Sequence, residues 1–420
     1  VTTEPGSATR PTPTAFPYRE TMRRPSVRRA RRVVKRLTGT DLFPTDEQIE
    51  AFCGDMYASD PVAERFVDEV FHGAVGPEAG RAMLKQALDH GLASVDEPPE
   101  AMAALFREFE DVPDWVDPVL VEAGAQVWRR WGTFLFSVAG GETLEMYTEA
   151  AVATPLSLAG GYAGDNALRR FLETAKFWID VSQPGALLTP GSQGRTTAMM
   201  VRVMHVSVRR GVARHPEWDE SRWGHPISQA YQLLTLAGGS VVPALALWGV
   251  GVQTTRREIN ALIHFQRYMG YLLGIRNTWY PETIADTLRL LALVTFSRSH
   301  DAGRHGAELI ESFPRAFVSR EGHTGPQRVR EHYNGTIYAA YSRMFMIPTT
   351  YARYDMPTAW PGLAWILLRY PVVFAIESLR RIPAVGRVHE RWMTAHRENW
   401  YWAQMAGREA EFDASGALRR

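Results

Sequence analysis

The chain has 420 residues, 45% hydrophobic and 11% aromatic, which is enough apolar material to enclose a large core and rules out a disordered protein. Lys+Arg 47 against Asp+Glu 46 leaves a net charge of +1, so the chain is no general polycation and no nucleic-acid partner is expected. A single cysteine, Cys53, excludes an internal disulfide and a cysteine-based zinc site.

In chain order, residues 1–17 (VTTEPGSATRPTPTAFP) lack the composition to pack, and residues 19–36 (RETMRRPSVRRARRVVKR) form a dense basic run. Arg23-Arg24 and Arg28-Arg29 look like a twin-arginine export signal, but no apolar stretch of roughly 7–15 residues follows them. Residues 1–44 therefore read as a mobile, leaderless arm whose basic part packs as a first helix or touches a membrane surface, and a cytoplasmic location is the expectation.

From Thr45 onward, apolar residues recur at three and four positions in segments 46–57, 60–73, 77–92, 98–110, 116–138, 142–160, 165–181, 195–214, 226–237, 255–274, 280–298, 303–313, 325–343 and 372–381. No strand alternation stands out, so the fold class predicted is all-α. One helical domain over 45–345 carries a C-terminal extension, 346–420, packed on it.

Between Arg222 and Arg256 there is no charged residue, and LLTLAGGSVVPALALWGVGV is long and apolar enough for a membrane span. Gly238, Gly239, Pro243, Gly249 and Gly251 instead suggest a broken pair of buried core helices. The apolar stretch 357–376, with Pro361, Arg369 and Pro371, reads as surface-lying or core-capping, and a lipophilic substrate or peripheral membrane contact fits it.

The segment most suggestive of chemistry is TTAMMVRVMHVSVRRGV, residues 196–212. Arg202, His205 and Arg209 share one helix face, flanked by Val201, Met204 and Val208. An imidazole can ligate haem iron and guanidinium forks can pair with propionates. A structural histidine with both arginines in salt bridges satisfies the same pattern. Other chemistries fit less well: a di-iron bundle needs two Glu-x-x-His pairs and only one, Glu69/His72, occurs, and His300/His305 and His389/His396 lack the spacing of a zinc protease pair. GGYAGDN at 160–166 lacks the Lys-Ser/Thr of a phosphate loop and reads as a turn with Asp165 or Asn166 capping the next helix.

RRFLET at 169–174, VRVMHVSVRR at 201–210, GHPISQ at 224–229 and FQRYMGYLLGI at 265–275 together resemble the latex-clearing-protein group, the wider family of rubber oxygenases and the fungal mycophenolic-acid pathway oxygenase. That resemblance implies a globin-like helical core with additional N- and C-terminal helices, one haem b, and O2 used to oxidise or cleave a hydrophobic substrate. It makes His205 the iron ligand, places Arg202 and Arg209 beside the cofactor, and puts Arg170 and Thr174 on the distal side. The family's lysine just before that threonine is Glu173 here, which points away from polymeric rubber and offers a carboxylate for proton transfer. Glu149 corresponds best to the family's upstream catalytic glutamate, although Glu142, Glu145 and Glu149 share one helix face and could be a solvated stripe. Phe171, Phe177 and Trp178 are expected near the distal face or in the core.

The expected function is oxygenation of an apolar, isoprenoid or polyketide-like small molecule, with an electron donor as a further partner. A non-enzymatic haem carrier or sensor, and a haem-free acid/base enzyme on the same scaffold, are the alternatives.

Overall fold

Helix starts follow the capping chemistry of the sequence. Thr45 with Gln48 and Thr255 with Glu258 form reciprocal capping boxes, and Asp60, Asp117 and Ser192 each accept a backbone N–H of the first turn they precede. The computed structural model describes residues 12–160, 167–317, 324–405 and 410, and among them no strand occurs. The turn expected at GGYAGDN, with its caps Asp165 and Asn166, lies outside the described residues beyond Gly160.

At the centre, helix Arg256–Leu272 lies along helix Pro118–Trp131. Gly124 permits this approach, since a Cβ there would collide with Phe265 and the Ala261 carbonyl. Trp128, Trp131, Phe265 and Tyr268 fill the main core, while Phe171, Phe313, Phe317 and Tyr338 centre a second cluster. Trp178 packs against both and stacks on Trp128 at 4.4 Å. Helix Ala167–Val181 packs on helix Gln193–Ala213, and Thr197 donates to Asp180 at 2.9 Å across the pair.

Four expectations change. The predicted break near Gly140-Gly141 falls at Gly132 instead (φ 57°), between helices Pro118–Trp131 and Thr133–Met146. Gly140 and Gly141 remain helical because they make room for Phe313 and for the Tyr341 carbonyl. Second, the arm is packed rather than mobile from residue 12 on: Thr14 and Ala15 donate to the carbonyls of Ser221 and Arg222 and Phe16 stacks on Phe52, while the basic run is helical as expected, as Tyr18–Arg23 and Pro25–Thr38. Third, Pro361 starts helix Trp360–Leu379, which continues through Pro371. Fourth, helix Pro383–Met405, which the periodicity missed, packs against Pro118–Trp131 and Ala167–Val181. The uncharged stretch after Arg222 is broken as its glycines suggest, into Gln229–Gly238, Val241–Ala246 and a short 3-10 turn, Leu247–Val250.

Candidate functional site

His205 lies in the middle of helix Gln193–Ala213, half-buried. Its Nδ1 is 3.1 Å from Gln232 Oε1. The Gln232 amide nitrogen donates to the Ile227 carbonyl at 3.3 Å, so the oxygen is left to accept and His205 carries its proton on Nδ1. Nε2 then bears the lone pair and has no protein partner among the described residues. Burial, reinforced by the Arg209 cation, pushes the imidazole down to about 4, so it is neutral across the physiological range. A neutral imidazole with one nitrogen fixed and the other bare has the donor chemistry that would hold a metal. Among the described residues no group of three or more His, Cys, Asp or Glu could hold a bare metal ion. A single imidazole suits a metal that brings its own macrocycle.

Both arginines of the stripe have protein partners. Arg202, almost wholly enclosed, forks onto Asp60 (Nε to Oδ2 2.7 Å, Nη2 to Oδ1 3.0 Å) and reaches Glu108 at 2.6 Å. Its Nη1 is buried with no partner among the described residues. Arg209 pairs with Glu64 at 3.1 Å and donates to the carbonyls of Pro226 and Ile227 at 3.1 and 2.8 Å. These ion pairs form because helix Pro61–Phe66 and its cap bring Asp60 and Glu64 against this face. The arginines act as struts for the histidine.

The motif glycines follow from that packing. A Cβ at Gly274 (φ 75°) would collide with Asp60 Oδ2 and Arg202 Nε, and one at Gly224 (φ 75°) would strike the Met56 carbonyl. Ile227 sits at φ 49°, a costly conformation for a β-branched residue, and its carbonyl is held by Arg209 and Gln232. Buried Gln229 ties this turn to Ser59 and Gly274, donating to their carbonyls at 2.7 and 3.0 Å. Three of the four sequence motifs therefore converge on one scaffold whose output is the orientation of Gln232 and His205.

On helix Ala167–Val181, Glu173 is buried and accepts Arg170 Nη1 at 2.8 Å and Arg169 Nε at 3.0 Å. Each carboxylate oxygen is engaged by a different guanidinium, so Glu173 holds Arg169 and Arg170 by one nitrogen each. The free proton acceptor expected at Glu173 is not what the geometry presents. Thr174 is exposed, and its hydroxyl donates to the Arg170 carbonyl at 3.2 Å. Phe171 is core, edge-on to Phe313, Phe317 and Tyr338.

Glu149 is buried and fastens a loop: Oε2 accepts the Ser299 N–H and hydroxyl at 2.8 and 2.9 Å, and Oε1 accepts the His300 N–H at 3.2 Å. Glu145 is likewise tied to Arg298, the Ile347 N–H and Thr350. The stripe is enclosed rather than solvated. Glu142 differs: among the described residues its Oε1 is buried and unbonded, and burial holds its carboxyl well above the usual range. The native state then binds a proton at Glu142 that the unfolded chain, with its carboxyl near 4.5, releases. Stability is full below that value and declines as pH rises above it, so Glu142→Gln is expected to gain on the wild type by up to about 1.4 kcal/mol per pH unit. Chemical unfolding midpoints between pH 5 and 8 check this; parallel pH profiles for the two proteins would contradict it.

Comparison with known proteins places these motifs in context. Residues 125–377 match the family described as ER-bound oxygenase mpaB/B'/Rubber oxygenase, catalytic domain. Over 232 residues, 54% of this chain and 54% of the relative, the chain is 27% identical to the rubber oxygenase of Streptomyces sp. (strain K30). The matched region spans about half the length of that relative. The structure of latex clearing protein LCP in the closed state superposes with a TM-score of 0.57 at 19% identity, covering 82% of this chain and 91% of that one, a likeness of fold. The all-α reading and the motif-based resemblance agree with these matches. Asp60, Glu64 and Glu108 precede the matched domain, and sequence reasoning missed all three, along with Gln232.

Proposed function

The chain belongs to the mpaB/B'/rubber oxygenase family, and on that premise we propose that it is an O2-dependent oxygenase of a hydrophobic small molecule, isoprenoid or polyketide-like, with haem b held by His205. The observation that carries this reading is the His205–Gln232–Ile227 relay, which leaves Nε2 bare and the ring neutral. When bound, haem b supplies an iron at which O2 can be activated. Everything else is the work of the chain. Gln232 fixes the tautomer and ring plane, Arg209 secures the strained Ile227 carbonyl that orients Gln232, and the Arg202–Asp60 pair locks the helix carrying His205. Arg170, held at Nη1 by Glu173, and Thr174 are the distal groups assigned to steer O2. Glu149, fastened to the Ser299–His300 loop, is assigned a supporting place rather than proton transfer.

The test is incorporation of isotopic oxygen from O2 into product, screened over isoprenoid and polyketide-like alkenes. Label in an oxidised or cleaved product is expected. Turnover without label, or without O2, would contradict the oxygenase reading.

A further inference from the structure

Helix Trp360–Leu379 has an outward face without charge. Its two charged residues both turn inward: Glu377 is buried and accepts Arg130 Nη1 at 2.8 Å, Arg380 Nε at 2.8 Å and the Gln253 N–H at 3.1 Å, while Arg369 bonds Tyr341 and lies over the Phe134 ring. Gly362 lets the helix approach helix Gly325–Phe345, since a Cβ there would press on the Thr336 carbonyl and Ala340. The helix is thus fastened flat along the molecule, and what remains outside is Trp360, Trp365, Leu367, Leu368, Val372 and Leu379, with Leu367 76% and Leu368 70% exposed. Its hydropathy and length would suffice to cross a bilayer, yet only 17% of it is buried in the protein. Helix Pro383–Met405 also exposes Val388 and Trp392, and the turn Leu247–Val250, which contacts helix Trp360–Leu379, exposes Trp248.

We propose that this face docks the protein on a lipid bilayer, with helix Trp360–Leu379 lying in the plane of the interface. The face is far more apolar than a usual protein–protein contact, which carries a hydrogen bond every 100–200 Å² or so. Here the exposed helix surface offers a partner almost nothing but hydrocarbon and indole. Tryptophans stand at one end, at Trp360 and Trp365, and beyond the other, at Trp392, where amphipathic rings favour the headgroup level. Exposed Arg387 and Arg391 flank Val388 and Trp392, where cations can meet lipid phosphates. Span-like composition on a helix anchored by the Arg130–Glu377 pair is the signature of an element that lies on a membrane rather than through it. A docked face would give a lipophilic substrate a route that avoids water, but the docking itself does not depend on the oxygenase reading.

Flotation of the full chain with phosphatidylcholine vesicles, with and without phosphatidylglycerol, tests the proposal. The wild type is expected to rise with both, and more with the anionic lipid; Leu367→Lys/Leu368→Lys is expected to lower the bound fraction by about tenfold. Because both side chains are exposed, the variant should keep the wild-type circular dichroism and unfolding midpoint. Wild-type protein left at the bottom of both gradients overturns the proposal. So does light scattering that shows a dimer which the double variant splits, because a second copy would then cover the face.

Discussion

Arg202→Ala is expected to destabilise the protein by about 3–5 kcal/mol, read from the midpoint of chemical unfolding. The size follows from what the truncation leaves behind. Arg202 and Asp60 are both buried, the guanidinium fork meets both carboxylate oxygens, and Gly274 is without a side chain so that the pair can fit. Removing the cation strands the Asp60 charge in the interior, whereas the pair as a whole costs much less to keep. Arg202→Ala combined with Asp60→Ala is accordingly expected to recover part of the loss. Equal effects for the single and double variants would show that the pair does not hold the histidine helix in place.

His205→Ala is expected to remove cofactor binding and O2-dependent turnover together while leaving the helical fold intact. Gln232→Leu should give an intermediate result, about 10–100-fold weaker cofactor binding, because the ring loses its tautomer and orientation but keeps the ligating nitrogen. The pH dependence has a fixed sign. His205 is held below its ordinary 6.5, at about 4, so the unfolded chain binds the proton more readily. Its contribution to stability is complete above 6.5 and is lost as pH falls towards 4, while the nitrogen stays available to a metal throughout the neutral range. Cofactor titrations at several pH values, with circular dichroism on each variant, separate loss of a ligand from loss of fold.

What could be read from the sequence was whatever one helix repeats locally. The stripe of Arg202, His205 and Arg209 lies on one face as its spacing requires, and the fold is helical as the periodicity indicates. The partners of that stripe were hidden because they come from far along the chain: Asp60 lies 142 residues before Arg202, and Glu64 lies 145 before Arg209. Periodicity describes which face an element presents, not what arrives to meet it. Gln232 left a faint signal as a polar side chain at the start of an apolar stretch, three residues after another glutamine, in a place where a purely structural helix would use hydrocarbon. The glutamates at 142, 145 and 149 misled for the complementary reason. Read alone they form a solvated stripe, but Arg298, Ser299 and His300 close over two of them, and Glu142 keeps one buried oxygen unbonded among the described residues. Gly140 and Gly141 suggested a break because a pair of glycines usually ends a helix; here close packing from Phe313 and Tyr341 uses their missing side chains instead.

The ultraviolet–visible spectrum of the purified full chain, oxidised and then reduced with dithionite in the presence and absence of CO, tests the central claim most directly. A Soret band that shifts with CO in the wild type and is missing from His205→Ala is the predicted result. A protein that stays colourless after added haem, or a band unchanged by His205→Ala, would contradict it.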